Sequence, residues 1–269
     1  MALHVDSSAA NQYVDCGSAS ALDDWTAATF AAWCRATSLA GDGVIRRIGA
    51  KHEPIGNNGK DLTHAWHSGL AIPQDCLRIR VNRATTVAQA QSVANVVVAN
   101  EWMFAVGTYD ESDGPRLFKG TLTTLAAEVS YDTGYPVVGS GATTSEAGGF
   151  LAWGNRGSSP SALAGFVGDL SYALYLNRRL TLAEIRDLQY RLLFHRFTEA
   201  KAAYHFGLHA GTGSQPDISG GGNTGTVVGS ATLADHVPLG PPFAFSRGWR
   251  GAFTVAAGGG KPWYAYAQQ

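Results

Sequence analysis

Trp102-Met103-Phe104-Ala105-Val106-Gly107-Thr108-Tyr109, followed by Asp110-Glu111-Ser112-Asp113-Gly114-Pro115 and then Arg116-Leu117-Phe118-Lys119, is the stretch that decides the fold. Its first part is almost wholly apolar, as in a strand buried at the centre of a sandwich. Its middle part is made of turn formers. Asp and Ser side chains bond nearby backbone N–H groups there, while Gly and Pro supply the dihedrals of a reversal. The chain then returns, so the stretch predicts a hairpin.

Outward from it, short β-rich runs dominate, punctuated by Gly, Asn, Asp, Ser and Pro. Candidate strands are 2–6, 11–15, 28–36, 43–49, 76–82, 93–98, 101–109, 116–119, 122–129, 148–153 and 164–176. Many strands with few intervening helices predict a sandwich or jelly roll, not a βαβ fold. One helix is expected over 181–196. Thr181 and Glu184 form a capping box, and Leu182, Ile185, Leu188 and Leu192 follow at helical spacing. The composition shifts after this helix, which divides the chain into a sandwich over 1–197 and a C-terminal extension over 198–269. The extension is expected to complete the sandwich edge or to dock on a neighbouring subunit.

The balance of charge excludes several classes. With 20 Lys and Arg against 21 Asp and Glu, the formal net charge is -1, which gives no drive toward nucleic acid or acidic membranes. Charged residues are only 15% of the chain, which suits close protein contacts. No stretch approaches the ~18–20 continuous apolar residues of a membrane span. The opening MALHVDSSAANQYVDCG lacks a basic region followed by an apolar one, so we expect no signal peptide and synthesis in a cytoplasm. Cys16, Cys34 and Cys76 are odd in number and widely spaced, which predicts reduced, buried thiols, not a disulfide framework or zinc site.

A series of motifs is similar to a known family. His4-Val5-Asp6 with Tyr13-Val14-Asp15, Phe30-Ala31-Ala32-Trp33-Cys34-Arg35, Leu77-Arg78-Ile79-Arg80-Val81, and Trp102 through Tyr109-Asp110 occur in its order. Leu117-Phe118-Lys119-Gly120, Trp153-Gly154-Asn155, Phe166-Val167-Gly168-Asp169-Leu170 and Asn177-Arg178-Arg179-Leu180-Thr181 continue it. Over about residues 1–195 the chain resembles the laminin-G-like, or concanavalin A-like, jelly roll. The resemblance implies an all-β sandwich with one flanking helix. It also extends to modules encoded by bacteriophages, which implies a virion structural protein decorating a capsid or tail and binding neighbouring virion subunits or itself. Because the superfold also hosts lectins and glycosidases, carbohydrate binding is the alternative, and a glycoside hydrolase a further one.

The residues themselves offer few chemical sites. A glycosidase needs two carboxylates facing one cleft, and the family's alternating E-x-D-x-x-E is absent. Asp110 and Asp113 are the best calcium candidates, and equally ordinary turn formers. His64, Trp66 and His67 are read as a loop that could hold a sugar face. His52 has no evident partner at useful spacing, and Asp61 no assigned role. Gly139-Ser140-Gly141 and Gly220-Gly221-Gly222 lack the Lys and Ser/Thr of a phosphate loop. Arg46-Arg47 reads as a solvated or ion-paired couple. No cofactor is called for. The aromatic tail, with Trp249, Phe253, Trp263, Tyr264 and Tyr266, has the residue types of interface anchors. Deleting 246–269 should therefore abolish assembly and leave the sandwich folded. Light scattering behind size-exclusion chromatography checks this, and a truncated chain that assembles normally removes the tail from the mechanism.

Overall fold

The structure is a computed structural model that describes residues 1–6, 11–41, 43–52, 59–156, 160–161, 164–191, 200–207 and 213–239. One compact unit runs over Met1–Leu239. The five tail aromatics from Trp249 to Tyr266 lie outside the described residues.

Among the described residues, sixteen strands make two antiparallel sheets. The first sheet contains β1 (Ala2–Asp6), β3 (Ala27–Ala36), β8 (Trp102–Asp110), β9 (Gly114–Thr121), β10 (Ala127–Glu128), β12 (Val167–Leu176), β13 (Ala200–His205) and β16 (Thr232–Ala234). Their order is β10-β9-β8-β3-β12-β1-β16, with β13 also on β12. The second contains β2 (Tyr13–Asp15), β4 (Val44–His52), β5 (Gly59–His67), β6 (Ile72–Val81), β7 (Ala88–Gln91), β11 (Leu151–Trp153), β14 (Gly213–Gln215) and β15 (Gly225–Val228). It runs β14-β15-β2-β11-β4-β5-β6-β7. Strands β13 to β16 all come from the stretch after residue 197. They pair with β12, β2 and β1, so the sandwich does not close at 197.

The decisive hairpin is β8–β9, registered from Asp110↔Gly114 to Met103↔Thr121. Between the sheets sits a core that includes Phe30, Tyr175, Trp153, Leu62, Ile79 and Leu170, all at most 1% exposed. Two glycines make room in this core: Gly49 for the ring of Trp153, its partner on the neighbouring strand of the same sheet, and Gly107 for Ile79 of the opposite sheet. A Cβ on Gly49 would fall 2.6 Å from the Trp153 ring, and one on Gly107 would fall 2.9 Å from Ile79. The Phe30 ring meets Trp153 edge-on at 5.9 Å and Tyr175 at 4.5 Å.

A second apolar layer lies on the other face of the first sheet, where α1 (Leu182–Arg191) packs. Its capping box is formed as expected. Glu184 Oε2 accepts from the Thr181 N–H at 2.9 Å, and Thr181 Oγ1 from the Glu184 N–H at 3.3 Å. Ile185 and Leu188 cover Trp33, Phe104 and Val106. Trp33 Nε1 donates to Gln189 O at 2.9 Å. The Gln189 amide in turn donates to Thr121 O and Thr124 O and accepts from the Ala126 N–H. Helical structure ends at Arg191 among the described residues, and Leu192 lies outside them.

Three strand expectations need correction. Residues 93–98 form turns, and the strand is β7, five residues earlier at Ala88–Gln91. The run 122–129 keeps only the two residues of β10, because Thr121–Thr124 closes a hydroxyl-bonded turn. The presumed loop around His64–His67 is the end of β5.

The Gly49 contact gives a direct test. Gly49 has no left-handed φ, so Gly49→Ala acts through space alone. We expect it to destabilise the chain by about 1–3 kcal/mol, the cost of overpacking, as a lowered urea midpoint. An unchanged midpoint would mean that Trp153 yields freely.

Candidate functional site

Strand alternation sends one set of side chains from β4, β5 and β6 inward and the other outward. The β4–β5 register shifts between Arg47 and Gly49, a bulge at Ile48. Ile48 and Gly49 both face the core, while Arg47, Ala50 and His52 face out. Asp61 and Thr63 of β5 and Arg78 and Arg80 of β6 share that outer face, paired as Asp61↔Arg80 and Thr63↔Arg78.

The resulting cluster is polar but poorly exposed. Arg47 is 5% exposed, Asp61 4% and Arg78 8%. Asp61 Oδ2 stands 3.5 Å from Arg47 Nε and 3.3 Å from His52 Nε2. Arg47 Nη1 donates to Ile45 O at 3.0 Å, and Arg78 Nη2 to Gln89 Oε1 at 2.8 Å. The backbone beside Arg47 is pinned by its N–H bond to Ala164 O at 2.9 Å. Among the described residues, Arg47 Nε, Arg78 Nε, Arg156 Nε, His52 Nδ1 and Asp61 Oδ1 make no hydrogen bond.

The electrostatics are lopsided. Arg78, Arg80 and Arg156 act on the charge of Arg47, and of the four guanidiniums Arg47 and Arg78 act on the Asp61 carboxylate. Burial pushes Arg47 down to about 10. Asp61 opposes that shift, and the other three arginines add to it. Burial also lowers His52, against the pull of Asp61. For Asp61, burial alone would raise the pKa. The His52 hydrogen bond and the Arg47 charge outweigh it and hold the carboxyl well below the usual range. Asp132 stands off at the β7 edge, where Gln91 Nε2 bonds it at 3.3 Å.

The structure disperses the residues singled out from sequence. His64 is fully buried, with Nε2 2.8 Å from Asp75 Oδ1, so its ring is packed inside and hydrogen-bonded to that carboxylate and is not placed to contact a sugar. Trp66 and His67 are half-buried at the end of β5, on opposite faces. Asp110 accepts from the Ser112 N–H at 2.9 Å and from its hydroxyl, which holds its carboxyl low. Asp113 pairs instead with Arg179 and Arg116. The two carboxylates therefore do not converge, as calcium would need. Among the described residues, no group of three or more His, Cys, Asp or Glu is placed to hold a metal ion. All three cysteines are buried and free.

Sequence reasoning missed Arg47, His52, Asp61, Arg78 and Arg80. The alternation Leu77-Arg78-Ile79-Arg80-Val81 carried the signal: a strand with one apolar face and one of guanidiniums. Arg46-Arg47 hid its half, because the bulge that turns Arg47 onto this face leaves no mark in composition.

No family model matches the chain, and no curated protein matches it. Among solved structures, a putative carbohydrate binding protein from Bacteroides ovatus superposes with a TM-score of 0.60 at 13% identity, covering 89% of this chain. This chain spans only 61% of that structure's length. A native heptameric SAP-like pentraxin from Limulus polyphemus matches with a TM-score of 0.40 at 10% identity, over 66% of this chain and 75% of that one. The fold is thus an all-β, two-sheet antiparallel sandwich of the concanavalin A-like, jelly-roll kind. Neither structure supports the bacteriophage link or a virion role.

The cluster makes a pH prediction. His52 and Asp61 are both depressed in the native state, so the unfolded chain binds more protons. Their contribution is complete above about pH 6.5. It falls as His52 must be held neutral below that, and falls further below about pH 4, where the unfolded carboxylate protonates. Asp61→Asn should cost about 3–5 kcal/mol at neutral pH by stranding buried Arg47, and should flatten the loss below pH 4. Urea midpoints from pH 8 to 3 measure both, and parallel curves for the two proteins would refute the assignment.

Proposed function

We propose that the chain is a carbohydrate-binding module that takes an acidic saccharide on the outer face of the second sheet. One observation carries the reading: four arginines act on one another on this face, and among the described residues Asp61 is the one carboxylate acting on Arg47. A guanidinium fork matches a uronate carboxylate or a sulfate ester in geometry as well as charge. An anion placed on this face would offset the mutual repulsion of the four arginines. Asp61 and His52 would then orient sugar hydroxyls. The likeness to the Bacteroides ovatus protein, whose description is carbohydrate binding, supports the class of ligand. Among the described residues the face shows no second carboxylate opposite Asp61 for acid–base hydrolysis, so binding without turnover fits it better.

Affinity electrophoresis and calorimetry with heparin, polygalacturonate and neutral dextran test the proposal. Both acidic polymers should bind at low salt, weaken steeply as salt rises, and leave dextran unbound. Arg80 and Arg156 are half-buried at the mouth of the cluster, so Arg80→Ala with Arg156→Ala should fold normally and weaken binding at least about tenfold. Equal binding of dextran, or acidic binding indifferent to the double variant, would overturn the reading.

A further inference from the structure

A second polar cluster lies across the molecule, on the outer side of the first sheet. Strands β1 and β13 share one edge of β12, end to end, and β16 lies outside β1. That arrangement brings His205, the last residue of β13, against His236, two residues past β16. Their Nε2 atoms are 2.7 Å apart, with the rings at 72°. Tyr172 stacks on His205 at 4.3 Å and meets His236 edge-on at 4.8 Å, which fixes both planes. Ser171 Oγ is 3.0 Å from His236 Nε2.

The tautomer of His236 follows from chemistry. Its Nδ1 lies 2.6 Å from Val237 O, and a carbonyl can only accept. The proton is therefore on Nδ1, and Nε2 presents a lone pair. Donation of the second ring nitrogen to a backbone carbonyl is the support that metal-ligating histidines have. His205 Nε2 and the Ser171 hydroxyl both aim at that one lone pair, which can accept well from only one of them.

We propose that His205 and His236 form a copper(II) site, with both Nε2 atoms as ligands and solvent in the open positions. Ser171 Oγ stands near enough to hold a bound water. The spacing as it stands is that of a hydrogen bond between the rings, and each metal would require a different opening of it. Two ligands about 2.0 Å from an ion sit about 3.3 Å apart in a tetrahedral zinc site, but only about 2.8 Å apart at the right angle of a tetragonal site. The observed 2.7 Å needs a small opening for the second and a larger one for the first. Copper(II) also leads the divalent ions in affinity for imidazole. Binding needs neutral rings. On binding, the His205 proton sits on Nδ1, so no proton is released. Both rings are half-buried, which leaves an entry path.

The test is a copper titration of the full chain, followed by electron paramagnetic resonance. One equivalent should bind at micromolar concentration or tighter, with hyperfine structure from two nitrogens, and zinc should bind more weakly. His205→Gln and His236→Gln should each weaken copper at least about tenfold and remove one nitrogen. Should a variant unfold by circular dichroism, diethyl pyrocarbonate labelling of the wild type decides, with copper expected to protect His205 and His236. No saturable binding below about 100 µM, or a signal or labelling pattern that does not involve these two residues, overturns the proposal.

Discussion

The contact on which the rest depends is the one between Gly49 and Trp153. Trp153 is the largest side chain of β11 and is fully buried. Its ring can lie over the neighbouring strand of its own sheet only where the paired residue has no Cβ, and Gly49 provides that place. The bulge at Ile48 follows from the same need. It adds one inward residue, so Ile48 fills the core beside the glycine while Arg47 is turned out. Without that extra residue every side chain on one side of it would change face, and Arg47 would enter the core. The packing of the interior and the charge of the outer face are thus two results of one local irregularity.

That link also explains which parts of the molecule could be read from residues alone. The β8–β9 hairpin and the capping box at Thr181 announce themselves, since apolar runs, turn formers and a Thr-x-x-Glu spacing act locally. β5 does not. Its sequence Gly59-Lys60-Asp61-Leu62-Thr63-His64 looks like a polar loop, because both of its faces bury charge. Lys60 points inward to Glu146, and Asp61 outward to Arg47 and His52. A strand whose polar residues are satisfied by partners far along the chain carries no period-2 hydrophobic signal. The cationic site was hidden for the same reason, since its members come from β4, β5 and β6 and the segment at Arg156, and only the pairing register sets them side by side. The His205–His236 cluster depends on a still longer link, the return of the chain's last described strands to β12 and β1.

Buried charge is tolerated here in two different ways. At one end of the interior, Lys51 is fully satisfied: its ammonium donates to Glu146 O and Gly149 O and pairs with Asp23 at 2.6 Å. Such a network fixes the loop ends it touches, at a desolvation cost that its hydrogen bonds offset. The outer face of the second sheet is the opposite case. Its arginines outnumber their counter-charge and keep N–H groups without acceptors among the described residues. A fold under selection for stability alone gains nothing from that arrangement, because removing one arginine would relieve repulsion and desolvation together. Lys51 has a balance of donors and acceptors about it, whereas a cluster with an excess of one sign is suited to an anion from outside.

The two proposed sites lie on opposite outer faces, with the apolar core and both sheets between them. Interiors packed around interlocked aromatics transmit little unless an element has two arrangements to choose from. Neither β12 nor β5 offers one here: each is paired on both edges over most of its length. A ligand on one face therefore changes the other only through overall stability, which mass action raises for any species that binds the native state alone. The histidine site joins segments that otherwise meet only through β1 and β12, so an ion held there would tie the last described strands to the sheet. The arginine site joins neighbouring strands already paired along their length, and its occupant would add charge balance without adding a new connection. The first arrangement suits a clamp on the fold and the second a surface for recognition.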